Sequence, residues 1–142
     1  MKVRELRVGN KIQDDNGFIF DVVSIHDDGT VYADFEGNEG DVWEFDNNNP
    51  AYGVPLSLYL LLEFGFEELP IDNYRTYKTF KVGKRYLYFD ESDGVWYLSY
   101  DENIAYCNNI GIVDYLHDLQ NLYYFTSRDG KYEEREELEI KL

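Results

Sequence analysis

The stretch IVDYLHDLQNLYYFT, Ile112 to Thr126, constrains this chain more than any other. Apolar side chains recur at Ile112, Leu116, Leu119 and Tyr123, and again at Val113, Leu122 and Thr126, the spacing of one buried helical stripe. Asp114, Asp118 and Asn121 fall on the opposite side. Most of the chain before it alternates at the two-residue strand period, so this helix is expected to lie as a lid on a sheet.

Residues 1–46 read as a string of short strands. Val3, Leu6 and Val8 lead to Gly9-Asn10, and a strand starting at Ile12 ends in the turn Asp14-Asp15-Asn16-Gly17. Phe18 to Ile25 is the strongest strand, with Phe18, Phe20, Val22 and Ser24 on one face. The Asp-Gly turn His26-Asp27-Asp28-Gly29 follows, its glycine suited to the positive φ of a hairpin. Thr30 to Phe35 alternates next, then a turn from Glu36 to Gly40 and a strand with Val42, Trp43 and Phe45. Several short strands with glycine turns in under fifty residues predict an SH3-like small β-barrel or curled sheet over residues 1–50.

Asp46 to Pro50 is polar, aperiodic and ends in proline, which marks a linker. Pro55 to Phe64 follows as a helix, with Ser57 as N-cap and Gly65 placed for a left-handed C-cap. Three strands are expected from Tyr74 to Tyr100, turning at Gly83-Lys84 and at Glu91 to Gly94, with a fourth if Ile104 to Cys107 pairs. The alternation of Leu138, Ile140 and Leu142 suggests a terminal edge strand. The predicted class is α+β, the N-terminal unit packed against an antiparallel meander with two helices in residues 51–142. The two units are expected to share a core, because fifty residues bury little surface alone.

Thirteen basic against twenty-nine acidic residues give a net charge of −16. Such a surface repels phosphate backbones and anionic lipid, so direct nucleic-acid or membrane binding is not expected. Cys107 is the sole cysteine, which excludes an internal disulfide and argues against a zinc cluster. The opening MKVRELRVGN lacks the apolar run of a signal peptide, and a cytoplasmic protein is expected.

Three stretches carry a resemblance: ELRVGN (Glu5 to Asn10), GVPLSLYLLLEFGFEE (Gly53 to Glu68) and VDYLHDLQNLYYFTSRDG (Val113 to Gly130). Together the chain resembles a family of uncharacterised small proteins of Bacteroides-type genomes, often sited in prophages and mobile elements. The resemblance implies a setting in mobile DNA. It implies no activity and no catalytic residues.

Candidate sites are few. His117, near Asp114 and Asp118, has the pairing of a general base or proton shuttle. Alternatively it bonds a neighbouring sheet or loop together with Gln120 and Asn121. Trp43, Trp96 and the tyrosines either line a groove for an extended peptide or form core and cross-strand pairs. Asp14, Asp15, Asp27 and Asp28 lack the alternating ligands and distal glutamate of a calcium loop, and hairpin chemistry explains them. No cofactor or metal is expected. The leading expectation is a non-enzymatic protein-interaction module whose partner has a basic surface. An acidic DNA mimic, using Asp14, Asp15, Asp27, Asp28, Glu36, Glu39 and Asp41, is the alternative; an enzyme built on His117 with Asp114 comes third.

Overall fold

The computed structural model describes residues 1–35, 41–71, 77–102, 109–128 and 134–141. The expected pairing of Ile104 to Cys107, and residues Glu36, Glu39, Tyr74, Thr76 and Leu142, lie outside the described residues. Among the described residues the fold is α+β, with ten strands in two antiparallel sheets and two helices. Two compact units can be distinguished. One comprises Met1–Pro55 with Tyr115–Asn121, and the other comprises Leu56–Asp114 with Leu122–Leu142.

The first unit is a curled half-barrel. Its strands are β1 (Lys11–Gln13), β2 (Ile19–Ile25), β3 (Val31–Asp34), β4 (Trp43–Phe45) and β5 (Tyr52–Gly53), in the order β4-β3-β2-β1-β5. Val3–Glu5, expected to be extended, instead forms one 3-10 turn, and it buries no residue. Leu6, Ile12, Phe20, Val22, Val31, Ala33 and Phe45 form the core. A bulge between Val22 and Ser24 shifts the β2–β3 register. This explains why Val22 and Ile25, three apart, both pack on the core while Val23 is exposed. Gly29 takes φ 89° in the β2–β3 turn, where Asp28 Oδ1 accepts from Thr30 N at 2.9 Å.

The second unit holds β6 (Glu67–Leu69), β7 (Lys78–Val82), β8 (Arg85–Asp90), β9 (Val95–Ser99) and β10 (Asn109–Val113), in the order β10-β9-β8-β7-β6. Helix α1 (Leu58–Glu63) begins three residues after the expected start at Pro55, which instead forms a β-bridge with Tyr115, but its N-cap is Ser57 as expected, with Ser57 Oγ accepting from Leu60 N at 3.1 Å. It ends at Gly65 (φ 87°), where Phe66 N donates to Leu61 O at 3.1 Å.

Three expectations are corrected here. Ile112 and Val113 belong to strand β10, and helix α2 runs Leu116–Thr126. Glycine at 111 and β-branched residues at 112 and 113 favour the strand. Asp118 Oδ2 accepts from the N–H of Tyr115, the residue just before the helix, at 3.0 Å, and so fixes the helix start there. Second, β6 extends the meander beyond the expected strands; Glu67 and Glu68 are exposed, so the segment shows no apolar alternation. Third, the tail forms no strand over residues 134–141: Leu138 is buried and Lys141 N donates to Phe64 O at 3.0 Å.

Candidate functional site: an aromatic groove on the curled sheet

The turn after β1 builds one wall of the groove. Asp14 Oδ1 accepts from the backbone N–H of both Asn16 and Phe18, each at 2.9 Å, and Asp14 N donates to Phe18 O at 3.1 Å. Gly17 supplies the positive φ of 85° that this closure needs. Phe18 is thereby held outside β2, which starts one residue later, and it stands 68% exposed. The expectation that Phe18 shares the inward face of Phe20 is corrected by this turn.

Phe20 is the buried floor. Three rings surround it: Phe35 edge-on at 5.6 Å, Phe45 edge-on at 5.3 Å and Trp43 tilted at 5.8 Å. Phe45 is buried behind the floor, whereas Trp43 is 49% exposed on strand β4. The cleft between these rings has a volume of about 360 Å³, bordered by Asp14 and Asn16. Apolar walls with a few polar groups at the edge are the usual make-up of a recognition site.

Compared with protein-family models, curated proteins and solved structures, the chain matches none.

The other sequence candidates are dispersed. Trp96 belongs to the second unit, is 7% exposed and packs against Phe80 and Phe89. Asp27 and Asp28 sit in the β2–β3 turn, while Asp14 and Asp15 sit in the β1–β2 turn at the opposite end of an antiparallel meander. Asp28 has its carboxyl held below the usual range, chiefly because Thr30 N–H donates to it. A second, more polar cavity of about 670 Å³ is lined by Gln13, Asp15, Tyr52 and Tyr115 among others.

His117 has no exposed surface. Its ring stacks on Tyr115, with centroids 5.6 Å apart and planes at 7°. Gly53 lies beside both: a Cβ there would come within 2.7 Å of the Tyr115 ring and 3.1 Å of His117 Cε1. Nε2 lies 3.4 Å from Asp118 Oδ1 and 3.9 Å from Glu5 Oε2, so the carboxylates at this ring are Asp118 and Glu5. Burial pushes the imidazole below its ordinary pKa, with Asp118 and Glu5 pulling the other way. Gln120 and Asn121 bond loop backbone as the structural alternative anticipated: Gln120 Nε2 donates to Gly9 O at 3.1 Å, and Asn121 Nδ2 donates to Glu5 O at 2.9 Å. Sequence reading had no signal for Glu5, which lies 112 positions before His117.

Proposed function

We propose that this chain is a non-enzymatic protein-interaction module whose first unit is SH3-like and whose aromatic groove takes an extended, proline-containing peptide with a basic residue. The single observation behind this reading is the set of three exposed rings, Phe18, Phe35 and Trp43, around the buried Phe20 floor. Rings at this spacing grip the flat face of a proline, and an extended peptide is already ordered before it binds. Asp14 at the edge and the −16 charge of the chain favour a lysine or arginine beside the proline. Trp43 offers the same cation a ring face.

The setting that goes with this reading is a mobile element or prophage, on the resemblance of three stretches of the chain. The partner is a protein, since the acidity opposes nucleic acid and anionic membrane. No helix among the described residues is long and apolar enough to cross a membrane.

A DNA mimic is the second reading, favoured by the charge itself. Against it, the acidic turns sit at opposite ends of the meander, which disperses the carboxylates. An array of proline-containing peptides, with and without flanking lysine or arginine, tests the groove reading. Capture of the basic members, lost in Trp43→Ala and Phe18→Ala variants that remain folded, is the expected result. Capture that survives both changes, or no capture of any member, would overturn it. Salt-sensitive competition with duplex DNA for a basic protein would instead support the mimic.

A further inference from the structure

Helix α2 brings a small set of metal-ligating groups to the start of the chain. Asn121 fixes the Glu5 backbone, and the Tyr115 N–H orients the Asp118 carboxylate through Oδ2. That leaves Asp118 Oδ1 facing His117 Nε2, with Glu5 Oε2 on the same nitrogen. One ligand atom from each of Glu5, His117 and Asp118 lies within 4.8 Å of the others.

His117 sets this cluster apart. Both of its ring nitrogens are buried without a hydrogen-bond partner among the described residues. Buried polar atoms are almost always bonded, and an exception calls for a physical reason. An imidazolium paired with a carboxylate closes to about 2.7–2.9 Å. At 3.4 and 3.9 Å, the two carboxylates face Nε2 and stop short of it. The 3.4 Å separation suits a different occupant, and the half-exposed Glu5 side chain has room to close the longer one. Zinc bonds of about 2.0–2.2 Å to nitrogen and carboxylate oxygen put neighbouring ligand atoms about 3.4 Å apart on a tetrahedral edge.

We propose that Glu5, His117 and Asp118 bind a divalent transition metal of the zinc class, through His117 Nε2, a Glu5 carboxylate oxygen and Asp118 Oδ1. The two carboxylates balance the charge of the ion, and the imidazole selects against calcium and magnesium, which take oxygen ligands. Three protein ligands leave a fourth position for water. The half-exposed Glu5 side chain gives the ion its route from solvent. Tyr115 N–H on Asp118 Oδ2 is the outer contact that holds a ligand in place. Bound there, the metal would tie the first turn of the chain to helix α2 within the first unit.

The test uses the full untagged chain, stripped with a chelator and then titrated with Zn²⁺ by calorimetry and with Co²⁺ by visible absorption. One equivalent bound at micromolar affinity or tighter, a tetrahedral cobalt spectrum and a rise in melting temperature with zinc are expected. Glu5→Gln and Asp118→Asn keep side-chain shape, and the amide introduced by Asp118→Asn retains an oxygen for Tyr115 N–H. Each should weaken zinc at least tenfold while circular dichroism stays unchanged. His117→Gln should abolish binding; because that site is buried, Glu5→Gln on the surface carries the result if His117→Gln does not fold. Weak, non-stoichiometric uptake by the parent chain would overturn the assignment, and so would tight binding that survives both carboxylate changes.

Discussion

The two sheets use aromatic residues in opposite ways, and the two tryptophans show it. Trp96 is the second residue of β9, 7% exposed, with Phe80 and Phe89 at 6.1 and 5.0 Å. Tyr88 and Tyr97 pair across the same meander at 5.2 Å. These rings hold adjacent strands together. In the curled sheet Phe20, backed by the buried Phe45, is flanked by Phe35 and Trp43, which stay at the surface, with Trp43 at the first position of β4. Ring content alone does not separate glue from binding surface. Position does: a ring flanked by paired strands is covered, and one at a strand start or turn is left open.

The largest expected difference between the sheets is in stability. Trp96→Ala should cost about 3–5 kcal/mol by chemical denaturation, since it removes a large ring from between Phe80 and Phe89. Trp43→Ala should cost about 1 kcal/mol or less. Equal losses for the two would erase the contrast.

Next comes the β7–β8 turn of the second sheet. Gly83 has φ 58°, and a Cβ there would sit 2.3 Å from the Tyr123 hydroxyl, which accepts from Lys84 N at 3.1 Å. Gly83→Ala combines a left-handed backbone with that clash, and a loss of about 2–4 kcal/mol is expected in thermal or denaturant melts. Gly29→Ala in the first sheet has the same backbone strain, φ 89°, but among the described residues nothing comes within 4 Å of its Cβ. It should cost about 1 kcal/mol. A Gly29 change as damaging as the Gly83 change would show that strain, and not the Tyr123 contact, sets the cost.

Much of this was legible beforehand because it is local. Asp28-Gly29 marks a hairpin, and Ser57 with Gly65 brackets a helix, each through contacts two to five residues apart. Ile112 and Val113 satisfied both the helical stripe and the strand alternation, and only their pairing with Tyr97 and Trp96 decides between them. The bulge at Val22 to Ser24 breaks period two without any glycine to announce it. The candidate sites were harder still. Nothing near Trp43 in sequence says that Phe18 and Phe35 will stand beside Phe20, and Glu5 meets His117 only through the fold.

The smallest effect concerns a half-buried tyrosine of the second sheet. Tyr97 donates to Asp93 at 2.6 Å, and that bond to the carboxylate, above all, pushes its phenol up to about 12. The raised value favours the neutral phenol in the folded state. The associated stability is present below the ordinary tyrosine pKa near 10 and is lost as pH rises through about 12. Site-resolved NMR titration should show Tyr97 ionising after the surface tyrosines, and Asp93→Asn should bring it back towards them. A Tyr97 titration unmoved by that change would break the link to Asp93.

The helix that completes the first unit also bears on how the chain is made. Asn10 is fully buried and donates to Asn121 at 2.7 Å, while Gln120 spans Gly9 O and Lys11 N. During synthesis these partners leave the ribosome more than a hundred residues after the strands they serve. Domains commonly fold from the N-terminus as they emerge, but here the N-terminal sheet must wait for the chain to pass Asn121. Until then the Gly9 carbonyl and the Asn10 Nδ2 group lack their Gln120 and Asn121 partners, and the young sheet carries open edges into the crowded exit zone. A sheet made before helix α2 is therefore finished only with it, and its exposure to chaperones is written into the order of the chain.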